Sequence, residues 1–321
     1  PPPPRASRHA QLLSAQPSIA MARRIVDAHH HFWDLGRNRH PWLRDEPPIA
    51  FRYGDYSAIR RNYLKDDYLR DAAQAGLEVQ GTVYVETEWD PADPLGEMRF
   101  IEAYRRETGL PTVAVAHTRL DDPKTEALLQ YQASCRFVRS IRHKPRANPR
   151  PGMGEPGGMT DTAWRRGFAL LPSLGLRFDL QTPWWHLHEA AQLAQGFSTT
   201  QIIINHAGLP ADRSVEGLAG WRTAMSQVAD CPNVCVKVSG IGVPGQAWTA
   251  QANGAIVRRL IEVFGVTRCM FASNFPVDSL CGSFEAIFGG FGDIVADLSE
   301  DEQDALFRRN AIRIYDMGLA A

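Results

Sequence analysis

Arg24-Ile-Val-Asp27-Ala-His29-His30-His31-Phe-Trp33 opens the readable part of the chain: a β-branched apolar pair that breaks off into ionisable side chains. The same grammar recurs at residues 79–86, 112–117, 137–143, 176–181, 201–206, 234–239 and 269–273, giving eight runs in all with 25–29. These runs are continuously apolar rather than alternating, as expected of strands buried on both faces of a parallel sheet. A helical stretch fits each interval. Examples are 67–75 closed by Gly76, 95–108 closed by Gly109 and 250–264 closed by Gly265, glycine being the residue that takes a left-handed cap without strain. Eight β/α units predict an α/β fold of the single-domain (β/α)8 TIM-barrel type, because an open doubly wound sheet usually has fewer strands and a Gly-rich first turn. No G-x-G-x-x-G or P-loop pattern follows the first run, which argues against nucleotide-cofactor chemistry.

The chain has 321 residues, 35 Lys+Arg against 36 Asp+Glu and a formal charge of −1. This balance provides no electrostatic footprint for nucleic acid or an anionic membrane, and no apolar run approaches the roughly 20 residues of a spanning helix. Five cysteines, none in a C-x-x-C pair, read as reduced and buried in a cytoplasmic protein. Residues 1–20 have no acidic side chain and no apolar periodicity. They are expected to be a disordered or non-native extension ahead of a domain spanning 21–321, with Met21 as the natural start.

In a barrel of this kind the chemistry collects where strands end. The runs end in His29-His30-His31, Glu86, His117, Arg142-His143, Gln181, Asn205-His206, Lys237-Val-Ser239 and Ser273-Asn274. Six of the ten histidines lie at or beside such an end, which solvation of loop starts explains poorly. Alternate residues of an extended strand point the same way, so His29 and His31 can converge on one point and share a metal. A His-rich turn is the blander reading of that pair, and a satisfied core histidine the blander reading of His206.

Asp27-x-His29-x-His31-x-Trp33, Asn205-His206-Ala-Gly208-x-Pro210, Lys237-x-Ser239-Gly240, Met270-Phe271-Ala-Ser273-Asn274-Phe275-Pro276-Val277 and Asn310-Ala311-x-Arg313-x-Tyr315 together resemble the amidohydrolase-related family of metal-dependent TIM-barrel hydrolases. Within it the pattern is most similar to sugar-lactone hydrolases and pyrone dicarboxylate lactonases. The resemblance runs from about Ile25 to Tyr315. It implies a hydrolase of a small lactone or related cyclic ester, with His29, His31 and His206 as ligands of a divalent ion, zinc or manganese. Pyrone-type relatives work without a metal, so that point stays open. A metal-dependent decarboxylase and a non-catalytic ligand-binding barrel are the alternatives.

Lactone opening needs an activated water, a polarised carbonyl and a proton for the leaving alkoxide. Many relatives carry an Asp where this chain has Asn274, and an amide cannot take up a proton in the useful range. Glu86 and Asp278 are the candidate replacements, Asp278 reading equally well as a cap of the following helix. Arg142, His143, Gln181 and Trp33 are expected to bind substrate. Tyr53, Trp89, Trp184 and Trp185 are further aromatics suited to a ring. Residues 144–159, with four Pro and four Gly, read as a lid. The expected partner is a small molecule, with no nucleic acid and no membrane; a homo-oligomer is left open.

Overall fold

The computed structural model describes residues 22–320; the expectation for 1–20 lies outside them. Eight strands, β1 (Arg23–His30), β2 (Leu77–Val85), β3 (Val113–His117), β4 (Val138–Arg142), β5 (Arg177–Leu180), β6 (Ile202–Ile204), β7 (Val234–Val238) and β8 (Cys269–Phe271), pair in parallel in chain order. The helices that follow them in turn are α1 (Lys65–Gln74), α2 (Gly96–Thr108), α3 (Thr125–Ser134), α4 (Thr162–Phe168), α5 (Leu187–Gly196), α6 (Val215–Ala229), α7 (Ala250–Phe264) and α8 (Phe284–Ile294). This is the expected single-domain (β/α)8 barrel.

The apolar runs are continuous for the reason foreseen. Val26, Val83, Val115, Ile203, Cys235 and Met270 fill the barrel, while their neighbours Ile25, Tyr84, Ile202, Ile204 and Val236 pack outward in the larger core shared with the helices. Gly109 ends α2 in the left-handed conformation at φ 82°. Gly265 behaves differently: its φ of 74° comes with ψ 158°, an extended mirror-image conformation open essentially to glycine alone. All five cysteines are free and buried, and among the described residues no helix is long and apolar enough to cross a membrane.

β8 and β1 close the barrel through a seam built on one carboxylate. Asn274 donates its backbone N–H to the His29 carbonyl at 2.8 Å, and His31 donates to that of Phe275 at 2.8 Å. Beneath them, Asp27 accepts the Ser273 N–H at 2.9 Å and the Ser273 hydroxyl at 2.5 Å. It also accepts the Tyr68 hydroxyl of α1 at 2.9 Å and the His29 N–H at 3.2 Å.

The opposite end is sealed by the C-terminal segment, helical through Glu300–Asp304, a π turn at Ala305–Arg309 and Asn310–Tyr315. Asn310 donates its amide to the carbonyls of Val266 and Cys269, each at 2.8 Å. The Tyr315 hydroxyl reaches Asp179 inside the barrel at 2.9 Å. The Asn310-Ala-x-Arg313-x-Tyr315 motif is therefore a plug.

Removing a buried charged acceptor orphans its donors, at about 1.5–3 kcal/mol for a hydrogen bond to a charged group. Asp27→Ala is therefore expected to destabilise the fold by about 3 kcal/mol or more, read as a lower urea midpoint at unchanged m-value.

Candidate active site

Most of the strands, β6 and β8 above all, end sooner than the sequence suggested, and the backbone turns sharply at the mouth. His206, Ala207 and Asn274 take φ of 53°, 55° and 54°, and Glu88 one of 58°, a left-handed conformation costly for ordinary residues. A register shift between Asp27 and His30 does comparable work on β1. It sends His30 outward against Phe32, Tyr68 and Tyr84, while His29 and His31 meet His206 on the inside: the His29 ring centroid lies 5.1 Å from that of His31 and 4.5 Å from that of His206.

A cavity of 220 Å³ opens over these strand ends, and His31, His206, Asn274, Glu86, Arg142 and Gln181 all line it. Six residues singled out in the sequence are thus brought together. His29 lies just below, wholly buried, with neither ring nitrogen partnered among the described residues. Trp33 does not face the cavity: it is fully buried, donates its indole N–H to the Arg61 carbonyl at 2.7 Å and stacks behind His31. His143 lines a separate, neighbouring cavity. Asp278 does not cap the next helix, a task that falls to Ser283.

Asp278 instead anchors Asn274. Its carboxylate accepts the Asn274 amide N–H at 2.7 Å, the Tyr53 hydroxyl at 2.9 Å and the Gly240 N–H at 3.1 Å. That sets the Asn274 amide with Oδ1 toward His31 Nε2, 3.3 Å away. His31 Nδ1 lies 2.7 Å from the Val85 carbonyl, an oxygen that can only accept, so Nδ1 carries the proton and Nε2 presents a lone pair. Two acceptors therefore face one another across the cavity wall.

Glu86 and Arg142 are locked together. Arg142 Nε donates to Glu86 Oε1 at 2.5 Å, Nη2 donates to the Glu86 carbonyl at 2.5 Å, and Nη1 donates to Gln181 Oε1 at 2.9 Å. Burial alone would raise the Glu86 pKa, but the guanidinium outweighs it and holds the carboxyl well below the usual range. Glu86 stays an anion. The imidazoles are pushed the other way: burial, then the Arg142 charge, lowers His31 to about 3. His29 and His206 are depressed by burial and by the cations around them, Lys237 foremost for His29 and Arg52 for His206.

Sequence reasoning missed Arg52. It comes from the long segment between β1 and α1, donates to the Gly240 carbonyl at 3.2 Å and lies 3.7 Å from Asp278 while lining the cavity. Trp42, Ile49 and Phe51 of the same segment form the apolar wall, and Lys144 completes the rim, paired with Glu88. The one local signal was the aromatic-flanked Phe51-Arg-Tyr53. Residues 144–159 are pinned beside the mouth: His186 Nε2 accepts the Asn148 N–H at 2.9 Å and Glu189 the Gly157 N–H at 2.7 Å.

A divalent ion is poorly served here. Among the described residues no group of three or more His, Cys, Asp or Glu side chains is arranged to hold a metal. The His29 and His206 rings lie tilted to one another at 43°, their centroids 4.5 Å apart. No carboxylate replaces the one missing at Asn274, and the fixed cations Lys237, Arg142 and Arg52 surround neutral imidazoles. In this arrangement the described residues form no three-ligand set for a divalent cation.

A family model described as amidohydrolase matches residues 26–317. An uncharacterised protein of Sinorhizobium fredii is 38% identical over 296 residues, covering 91% of this chain and 98% of the relative. An L-fucono-1,5-lactonase of Burkholderia multivorans is 25% identical over 316 residues, covering 90% and 95%. Among solved structures, a zinc-bound amidohydrolase from Burkholderia multivorans superposes with a TM-score of 0.72 at 22% identity, covering 91% of this chain and 99% of that one; at that identity the likeness is one of fold.

Two outcomes follow from the packing. A Cβ at Gly240, whose φ is 59°, would lie 2.5 Å from His206 Nδ1, so Gly240→Ala is expected to cost about 1–3 kcal/mol of stability and displace that ring. Acid should also unfold the protein early. His31 is lowered to about 3, and His40 and His143 to about 4, by burial, whereas unfolded histidines protonate near 6.5. Their contribution is full above roughly pH 6.5 and declines as pH falls toward 3 to 4, each with a slope approaching about 1.4 kcal/mol per pH unit. Urea midpoints measured from pH 8 to pH 4 check this.

Proposed function

We propose that this chain, which belongs to the amidohydrolase family, hydrolyses a small lactone or related cyclic ester, activating water with its own side chains. The observation that carries the reading is the facing pair of acceptors, His31 Nε2 and Asn274 Oδ1, 3.3 Å apart in the wall of a cavity that also contains Arg52. One water can donate a hydrogen to each, leaving a lone pair directed into the cavity at a bound carbonyl carbon. The lactonase relative supports the same reading.

In this scheme the water oxygen attacks the carbonyl carbon as His31 Nε2 takes its proton. Arg52, half-exposed to the cavity, and neutral His206 face the developing oxyanion, where preorganised donors are most effective in a water-poor site. The Glu86 anion raises the proton affinity of His31, so the imidazolium forms beside a carboxylate already in place. Collapse of the tetrahedral intermediate breaks the bond to the ring oxygen, which takes the proton back from His31 and leaves as the hydroxyl of a hydroxy acid. Arg142 and Gln181 keep Glu86 in position, and Asp278 keeps Asn274 Oδ1 turned toward the water.

The test is acid release from a lactone panel with carbon dioxide measured alongside; carbon dioxide release without hydrolysis would identify a decarboxylase. His31→Asn is expected to lower kcat by 10²-fold or more, the scale of general-base catalysis, and Asn274→Ala by a smaller factor. Because His31 is held at about 3, the acid limb of kcat/KM should fall below pH 4, with no inflection near 6.5. Dialysis against a chelator should leave turnover unchanged; loss of activity restored by zinc or manganese would overturn the scheme.

A further inference from the structure

Beyond the wall formed by Glu86, Glu88 and Lys144 lies a second cavity of 530 Å³, more than twice the 220 Å³ of the first and sharing those three residues with it. The proposed reaction does not use it. His117 and His143 face it from the ends of β3 and β4, their ring centroids 6.0 Å apart and their planes at 87°.

The backbone fixes what each ring offers. His143 Nδ1 accepts the Leu120 N–H at 3.0 Å, so the proton of the neutral ring sits on Nε2. His117 Nδ1 stands 3.1 Å from the Arg142 carbonyl, which can only accept; its proton is therefore on Nδ1, and the Nε2 of the neutral ring is an acceptor. One donor and one acceptor thus meet at right angles in a space large enough for a ring. A hydroxyl group, which donates and accepts at once, is the complement of that pair. Much of the nearby charge is matched, Arg119 with Asp121, Lys144 with Glu88, Arg142 with Glu86 and Asp90 with Arg39; Asp122 and Lys124 add one charge of each sign to the lining, and Trp89 supplies an apolar surface for the C–H face of a sugar-like ring.

We infer that the second cavity is a subsite for an uncharged, hydroxylated arm carried on the reacting ring, with His117 and His143 reading one of its hydroxyls. The substrate class becomes a lactone bearing a second sugar-like unit. This deepens the proposed function and rests on the first cavity being the reaction site.

Two open-chain probes on the full-length protein separate the ideas without needing turnover. Gluconate represents the reacting unit alone, and lactobionate the same unit with a galactose arm. Calorimetric titration is expected to give lactobionate at least tenfold tighter binding than gluconate. His117→Phe and His143→Phe should each bring that ratio close to one, while His143→Gln, which retains a side-chain N–H donor, should preserve most of it. Equal affinities in the native protein, no binding of lactobionate, or a ratio unchanged in both Phe variants would overturn the subsite. If the ratio behaves as expected but no lactone is opened, the hydrolytic reading fails and the subsite stands. If lactones with and without the arm are opened and bound equally well, the reverse holds.

Discussion

Everything at the mouth of this barrel depends on the Asp27 carboxylate. Burial raises its pKa, and four donors, the Ser273 N–H and hydroxyl, the Tyr68 hydroxyl and the His29 N–H, oppose that shift. They tie the first strand to the last where the ladder of parallel pairing would otherwise have an open edge. The two segments so joined are those that carry His29 and His31 on one side and Asn274 on the other. Barrel closure and the placing of the proposed water site are therefore linked: a side chain with no chemical part in the proposed reaction joins the two segments on which Asp278 and the Val85 carbonyl then orient Asn274 and His31, 3.3 Å apart.

A second layer of buried charge governs the electrostatics. Inside the barrel Asp179 forms an ion pair with the Lys237 ammonium at 2.7 Å and accepts the Asn205 amide at 2.8 Å and the Tyr315 hydroxyl at 2.9 Å. An isolated charge at that depth would be prohibitive, and the pairing with several hydrogen bonds offsets the cost. Above it, Glu86 and Arg142 form a second closed pair. Burial first, and then the cations below and beside the three imidazoles, keeps them neutral, and neutral imidazoles can act as hydrogen-bond acceptors and bases.

The barrel was legible because its signal is local and repeated: apolar runs, intervening helices and glycine stops at Gly109 and Gly265. The ring of strand-end residues was legible too, since an ionisable group after a buried run has to face the mouth. The misplacements have physical causes. Trp33 sits in phase with His29 and His31 and looked like a neighbour in the site, yet backbone pairing with Tyr63 takes the chain behind His31. Asp278 fits a helix-cap pattern, but the turn at Val277–Leu280 carries it beneath Asn274. Arg52 belongs to no periodic pattern, and its position follows from how the connection between β1 and α1, residues 31–64, folds over the barrel.

The sequence by itself determined the barrel, its strand order and the set of polar residues gathered at one end, because these follow from the repeat of buried runs and helices along the chain. Only the tertiary structure decided which of those residues touch, which tautomer His31, His117 and His143 each adopt, and that the mouth divides into two cavities. Those outcomes depend on carbonyls and amides from other strands at distances near 3 Å, between residues far apart in the chain, and no local pattern encodes such a contact.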